Sequence, residues 1–186
     1  MNTKYLIQGF TLVELLITVA IVAVLATIAY PSFQQFLLES RRADAHSALS
    51  ALQLKQENFR GNCQVYAASL DGGISTDVCD FIPGTPPTNN SKLAAQTTSR
   101  DGYYTLNINS DNVSGNSFEV YADPTTKSNQ NKDSVCDPIW LFVGNVGAAN
   151  ATLADGTVLL AGQSWPNGLR GPLRNTNDPD SGSDCW

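Results

Sequence analysis

The amino-acid sequence predicts an α+β fold in which one long N-terminal helix packs on an antiparallel sheet of about four strands. Three features support this prediction. An apolar block extends from Phe10 to Tyr30, an amphipathic pattern follows it to about residue 60, and short alternating segments between turn residues occur further along the chain. A helix followed by a run of strands is typical of the α+β class, with the helix covering one sheet face.

The apolar block has the length of a membrane-spanning helix. Its 21 residues would rise about 32 Å, close to the ~30 Å hydrocarbon core of a bilayer. Twelve of them are Leu, Ile, Val or Phe, which together favour insertion by about 4 to 7 kcal/mol. An ordinary secretory signal would end in a small-residue cleavage site, and none follows this block.

Glu14 places a carboxylate inside the block. An acidic residue at the bilayer centre costs roughly 2.5 to 3.5 kcal/mol, and less near an interface, so the segment still inserts. The residues alone leave two interpretations, an interfacial Glu tolerated near a helix end or a functional carboxylate that requires a partner.

Pro31 follows the block and predicts either a kinked helix or one divided in two. Residues 31–60 form the amphipathic half, because their apolar side chains recur at three- and four-residue spacing. Gly61 and Asn62 are predicted to end this helix.

Two polar features of the amphipathic half are functional candidates. We expect Arg41-Arg42 to lie on a solvated face, or else to contact acidic groups of neighbouring subunits or lipid headgroups. His46 lacks ligand-spaced partners, so we expect it to be solvated or to face another subunit.

Residues 61–186 are predicted to form a globular head. The Gly- and Pro-rich stretch 61–100 connects helix and sheet, 101–161 contain the sheet, and 162–186 form a C-terminal loop. The predicted strands are Tyr103–Asn109 and Ser117–Asp123, which form a hairpin, followed by Ile139–Val143 and Thr157–Ala161.

The four cysteines lie outside the apolar block, which suits disulfides formed in an oxidising compartment. Three pairings are open. Pairing neighbours in sequence would close loops worth about 3 and 4 kcal/mol. A zinc site has no CxxC or Cys/His spacing to support it. The four cysteines are Cys63, Cys79, Cys136 and Cys185.

The net charge of −6 argues against a general nucleic-acid binder, since such proteins neutralise phosphates with Lys and Arg. A local DNA-binding or adhesive surface would involve Lys127, Lys132, Arg170 and Arg174. The sequence contains no G-x-S-x-G motif, phosphate loop or paired metal ligands, so we expect no enzymatic activity and no cofactor.

The segment Gly9-Phe10-Thr11-Leu12-Val13-Glu14-Leu15-Leu16, followed by the apolar run, resembles the prepilin signature of type IV pilins and type II secretion pseudopilins. The resemblance implies removal of leader residues 1–9 by a membrane peptidase that cuts after Gly9 and methylates Phe10. It implies a single-pass precursor in the bacterial inner membrane, handled by the pilus assembly machinery, and then an extracellular pilus. Residues 10–30 would form the transmembrane and filament-core helix.

The same resemblance implies a role for Glu14, namely pairing with the N-terminal ammonium of a neighbouring subunit. Many pilins also have a proline at the position of Pro31, before which the helix can unwind in filaments. The implied function is a structural subunit of a type IV pilus, either major or minor, with a secretion pseudopilin as the alternative. Adhesion, twitching motility or DNA uptake would be activities of such a filament.

The C-terminal part also carries a resemblance. Ser134 to Trp140, SVCDPIW, and the final Cys-Trp resemble minor pilins of the PilE type, which implies a disulfide-bounded loop from Cys136 to Cys185 and leaves Cys63 and Cys79 to staple the helix-to-sheet connection. Asp178, Asp180 and Asp184 partly match alternating-oxygen calcium loops but lack the closing Glu of an EF-hand. Calcium is therefore a secondary hypothesis beside a solvated acidic loop.

Overall fold

The computed structural model describes residues 10–73, 76–82, 88–133, 136–146, 150–171 and 185–186. The chain forms two compact units, Met1–Leu38 and Glu39–Trp186. Its helix is α1 (Leu12–Cys63), and two 3-10 helices cover Ser110–Asn112 and Lys127–Lys132. The strands are β1 (Ser69–Leu70), β2 (Phe81–Ile82), β3 (Thr88–Asn89), β4 (Lys92–Leu93), β5 (Tyr104–Ile108), β6 (Ser117–Pro124), β7 (Ile139–Asn145), β8 (Ala151–Thr152), β9 (Val158–Leu159) and β10 (Ser164–Gly171).

The first unit contains the apolar part of α1. The Thr11 hydroxyl caps the helix by accepting the Glu14 backbone N–H at 3.2 Å, as Thr often does at a helix start. The hydroxyls of Thr18 and Thr27 donate to carbonyls one turn earlier, which satisfies these groups in an apolar segment. Among the described residues, α1 is the one helix long and apolar enough to cross a membrane. Pro31 lies inside it, so the helix is not divided there.

The second unit begins with the amphipathic part of α1, which buries a stripe at alternating three- and four-residue spacing. Gln56 belongs to this stripe although it is polar. Its amide forms two hydrogen bonds with the backbone of Ala67, at 2.9 and 3.0 Å, which offset the cost of burying it. The residues of the stripe are Arg42, Ala45, Leu49, Leu52, Gln56 and Phe59.

The main sheet has four antiparallel strands in the order β10-β7-β6-β5. The first five residues of β7, Ile139 to Val143, are all apolar and buried because both faces of the strand are covered there. Its Ile139, Leu141 and Val143 belong to the core cluster that contains the α1 stripe, whereas Trp140 and Phe142 belong to a second cluster on the other face. This arrangement follows from the two-residue period of a strand.

The predicted α+β fold is confirmed, and three of the four predicted strands occur close to their predicted bounds. The fourth predicted strand, Thr157–Ala161, is shorter than predicted and does not belong to the main sheet. Only Val158–Leu159 is a strand there, and it pairs with β8 in a separate two-stranded ribbon. Asp155-Gly156 does form the turn, with Gly156 at φ +84°, but it returns the chain to β8 and not to the main sheet.

The fourth strand of the main sheet is instead β10, inside the segment predicted as a C-terminal loop. Its pairing with β7 shifts register between Trp165 and Leu169, which interrupts the alternation that marks a strand in sequence.

The connection predicted over residues 61–100 contains two short pairs of strands, β1 with β4 and β2 with β3. The disulfides join Cys63 to Cys79 and Cys136 to Cys185.

Candidate functional site

The N-terminal segment exposes its apolar side chains. Phe10 is 80% exposed, and Glu14 is exposed on the first turn of α1. Gly9 lies outside the described residues, so the cleavage junction itself is not described. An uncovered apolar helix of this length needs lipid or other helices around it.

In the head, Tyr103 brings two cations together. The Arg41 guanidinium carbon lies 5.0 Å from the centre of the Tyr103 ring, and the Lys127 ammonium also lies 5.0 Å from it. Arg41 Nη1 donates to the Ser128 carbonyl at 2.9 Å, and Lys127 Nζ donates to the Asp101 carbonyl. Each cation–π contact is worth about 0.5–1 kcal/mol at an exposed site. We call these three residues the Tyr103 cluster.

The Tyr103 cluster borders a cleft of about 590 Å³ between α1 and residues 100–103. The exposed Arg100 also lines this cleft, as does Asp44. The Asp44 carboxylate is buried, and it accepts the Ser99 hydroxyl and the Asp101 backbone N–H. Its acceptor capacity is therefore partly used within the fold. The other charged side chains that line the cleft are the half-buried Arg41 and the exposed Arg100 and Asp101, so two cations face one accessible carboxylate.

A second aromatic contact involves Trp186. The Arg170 guanidinium carbon lies 4.5 Å from the centre of the Trp186 ring, and the His46 ring centre lies 4.5 Å from that of Trp186. Trp186 Nε1 donates to the Gly171 carbonyl at 3.0 Å. The expectation for His46 therefore needs correction, because the side chain packs against Trp186 of its own chain. Burial lowers the pKa of His46, and the charges of Arg170 and Arg42 lower it further.

Arg42 also differs from the prediction of a solvated face. Its Nε and Nη2 donate to the two carboxylate oxygens of Asp133 at 2.8 and 2.9 Å, and the side chains are only 9% and 2% exposed. The hydrogen bond to Asp133 raises the pKa of Arg42 despite burial. Arg41, the adjacent residue, points the other way into the Tyr103 cluster, since successive helix positions lie on different faces.

The structure thus separates the basic residues that the sequence grouped together. Lys127 belongs to the Tyr103 cluster, Arg170 contacts Trp186, and Lys132 is exposed at the end of its 3-10 helix. Arg174 lies outside the described residues. Tyr103 and Arg100 were not predicted as functional residues, although an aromatic residue close in sequence to a basic one is a signal that could have indicated this region.

The calcium hypothesis falls on Asp178, Asp180 and Asp184, all outside the described residues. In the part of the chain that the structure describes, no group of three or more His, Cys, Asp or Glu side chains is arranged to hold a metal ion.

Comparison with known families identifies the chain. A model described as "Type IV minor pilin ComP, DNA uptake sequence receptor" matches residues 31–140, more than half of the chain. The chain belongs to this minor pilin family. A second model, the prokaryotic N-terminal methylation motif, matches residues 6–30, the segment that carries Gly9, Phe10 and Glu14.

Several relatives are major subunits of type IV pili. The type IV major pilin protein PilA of Myxococcus xanthus is 46% identical over 52 residues, which cover 28% of this chain and 24% of PilA. A fimbrial protein of Moraxella nonliquefaciens is 32% identical over 77 residues, covering 41% and 49%. The type IV major fimbrial protein FimA of Dichelobacter nodosus is 30% identical over 100 residues, covering 50% and 62%. The chain thus spans from a quarter to less than two thirds of these relatives. No solved structure matches.

The predicted resemblance to type IV pilins is confirmed by these matches. The minor pilin is a structural protein by family, and its methylation motif and apolar helix are consistent with a membrane-inserted precursor that later enters a pilus. The match to a minor pilin family and the similarity to major pilins also fit the predicted fold, a long helix on an antiparallel sheet with two disulfides.

Proposed function

We propose that this minor pilin is a pilus subunit whose head binds DNA through the Tyr103 cluster. The observation that supports it best is the position of Arg41 and Lys127 on the same aromatic ring, beside a cleft that Arg100 also lines. The family's description as a DNA uptake sequence receptor agrees with a DNA ligand.

Lys and Arg side chains provide most of the affinity for DNA by neutralising phosphates. The Tyr103 ring holds two of these cations at a fixed separation, which reduces the side-chain entropy lost on binding. The overall charge of −6 opposes DNA elsewhere on the surface, so binding would be confined to this region. With three phosphate contacts, log Kobs should fall against log salt with a slope of about −3.

Within the filament, we propose the roles that the prepilin resemblance implies. The peptidase cuts after Gly9, Phe10 becomes the methylated N-terminus, and Glu14 pairs with the N-terminal ammonium of a neighbouring pilin. The precursor spans the inner membrane once before the assembly machinery transfers it to the pilus. We also propose that the chain acts without enzymatic activity and without a cofactor. Calcium binding by Asp178, Asp180 and Asp184 stays a prediction.

Fluorescence anisotropy with a labelled DNA duplex tests the DNA proposal on the full-length mature chain in detergent. Arg41→Gln/Lys127→Gln should weaken binding at least tenfold and reduce the salt slope by about 2, because two phosphate contacts are lost. Lys92→Gln is the matched control, since Lys92 is an exposed head residue away from the cluster. Equal affinity and slope for the double variant and the wild type would refute the proposal.

A second measurement addresses specificity. Two duplexes of equal length and different sequence separate phosphate contacts, which tolerate any sequence, from contacts to base edges. If the double variant weakens binding to both duplexes by the same factor, the Tyr103 cluster supplies the phosphate contacts. Any preference between the duplexes then arises at other residues.

A further inference from the structure

A pocket of about 390 Å³ lies where the turn between β5 and β6 meets the end of β7 and the start of β8. This size falls in the range of about 300–1,000 Å³ that is usual for small-molecule sites. None of the residues that line this pocket belongs to the Tyr103 cluster or lines its cleft. Its wall includes Asp111, Asn116, Asn145 and Asn150 on the polar side, and Val113 and Val146 on the apolar side.

Three asparagines of this wall are fixed through their oxygen atoms. Asn116 Oδ1 accepts a hydrogen bond from Arg60 Nη2 at 3.0 Å, and Asn150 Oδ1 accepts one from the Ala161 backbone N–H at 3.0 Å. Both partners can only donate, so these contacts assign the oxygen and nitrogen of each amide. Asn145 Oδ1 accepts from the Ser164 hydroxyl.

All three asparagines are exposed, so solvent or a ligand can reach their side chains. Among the described residues, none accepts a hydrogen bond from the Nδ2 atom of Asn116, Asn145 or Asn150. Each amino group can donate up to two hydrogen bonds. The pocket wall therefore combines neutral amide donors with the exposed carboxylate of Asp111, and the hydroxyls of Ser114 and Ser117 also line it.

Asn112, a buried residue of the pocket lining, is held in place by Glu119, a completely buried residue on β6. Glu119 Oε2 accepts from Asn112 Nδ2 at 2.6 Å, and Oε1 accepts from the Ala154 backbone N–H at 2.6 Å. Asn112 Nδ2 also contacts the Thr152 carbonyl at 2.7 Å. These bonds join the β5–β6 turn to the β8–β9 ribbon, so the two sides of the pocket are organised before a ligand arrives.

The chemistry of the wall selects among ligands. Asp111 repels phosphates and carboxylates, and no Lys or Arg is among the described residues that line the pocket. Arg60, which is not a lining residue, uses its guanidinium to donate to the side chains of Asn116 and Tyr66. Hydroxyl groups both donate and accept, so they complement three amides and one carboxylate, and the C–H face of a sugar ring can pack on Val113 and Val146. We propose that this pocket is a binding site for a neutral oligosaccharide, separate from the proposed DNA surface.

Saturation-transfer NMR and calorimetry on the full-length mature chain test this site, with lactose, maltotriose and N,N′-diacetylchitobiose as probes. The detergent must be zwitterionic, because sugar-headed detergents would compete. We expect saturable binding of at least one probe at concentrations up to about 10 mM, and weaker binding of the anionic analogue sialyllactose than of lactose. Glucose 6-phosphate provides a second anionic probe.

The variant Asn145→Asp/Asn150→Asp keeps both oxygen anchors and removes both donor groups. It should weaken probe binding by about three- to tenfold for each lost donor. Asn116→Asp tests the third amide, because its carboxylate keeps the contact with Arg60. Asn131→Asp, an exposed change on the 3-10 helix Lys127–Lys132, is the control for the added charge.

The outcomes separate clearly. Loss of probe binding in the pocket variants, with unchanged melting temperature and unchanged DNA affinity, supports the site. Absence of saturable binding by all three neutral probes overturns the proposal, and so does binding that the pocket variants leave unaltered or that favours the anionic probes. If a double variant is unstable, the single variant Asn150→Asp is compared with the wild type instead.

Discussion

Arg42 donates to both carboxylate oxygens of Asp133 across 91 positions of sequence, at 2.8 and 2.9 Å. This ion pair joins α1 to the segment between β6 and β7, and both side chains are almost completely buried. The burial makes the pair sensitive to the loss of either partner. A lone charge left inside the head would have no solvent and no counter-charge to stabilise it.

Arg42→Met should therefore lower the free energy of unfolding of the head by about 3–5 kcal/mol, because Asp133 would remain as an uncompensated buried charge. Arg42→Met/Asp133→Leu should recover most of this loss. Denaturant unfolding of the full chain in detergent measures both. Arg41→Met is the neighbouring control and should cost less than about 1 kcal/mol. A double variant as unstable as the single one would contradict this explanation.

Removing the two disulfides should have unequal effects. Cys136 and Cys185 close a loop with a sequence separation of 49, whereas Cys63 and Cys79 are separated by 16. The chain-entropy model gives about 4 kcal/mol for the first and about 3 kcal/mol for the second. Comparing Cys136→Ser/Cys185→Ser with Cys63→Ser/Cys79→Ser by thermal unfolding tests the order. A larger loss of thermal stability in Cys63→Ser/Cys79→Ser would show that loop length does not decide the order of the two losses.

His46 should make the head less stable in mild acid. Burial lowers its pKa below the ordinary 6.5, as do the charges of Arg170 and Arg42. The folded chain then binds a proton less readily than the unfolded chain, so the stabilisation present above about pH 6.5 is lost as the pH falls.

His46→Phe removes the titrating group but keeps a ring against Trp186. The melting temperature of the wild type should fall relative to that of His46→Phe between about pH 7.5 and pH 5. The pKa values of Asp123 and Asp137 are raised, chiefly by burial, and these groups have the opposite effect on stability. They are present in both proteins and cancel in the difference. Parallel pH curves would show that His46 is not the responsible group.

Glu14→Val should leave membrane insertion and cleavage intact and reduce incorporation into filaments. The substitution removes the carboxylate proposed to pair with a neighbouring N-terminus, while the longer apolar run favours insertion. Immunoblots of sheared filaments and of membranes compare the two pools, with Glu39→Gln, another exposed change on α1, as the control. Normal incorporation of Glu14→Val would remove the proposed role.

The elements that the sequence predicted well are those with local signals. The apolar block, the amphipathic half of α1 and three sheet strands all follow from periodicity, which a single segment displays by itself. Strand β10 was missed because Pro166, Gly168 and a register shift interrupt its alternation. Its pairing depends on the free edge of β7, which no local pattern reveals.

The functional surfaces were harder to predict, for a related physical reason. Arg41 and Arg42 are adjacent and chemically alike, yet one contacts Tyr103 at the surface and the other is buried against Asp133. Which environment each receives depends on residues about 60 to 90 positions away. Composition identified Lys127 and Arg170 as candidate binding residues. It could not show that they contact two different aromatic rings, those of Tyr103 and Trp186.

Trp140 on β7 and Gly171 on β10 form a close contact with a practical consequence. A Cβ atom at Gly171 would lie 2.2 Å from the indole ring, and Trp140 is fully buried. The indole is thus an optical probe already built into the sheet, shielded from collisional quenchers such as acrylamide as long as β10 stays in place. Quenching of its short-wavelength emission would signal detachment of the edge strand before the rest of the head unfolds.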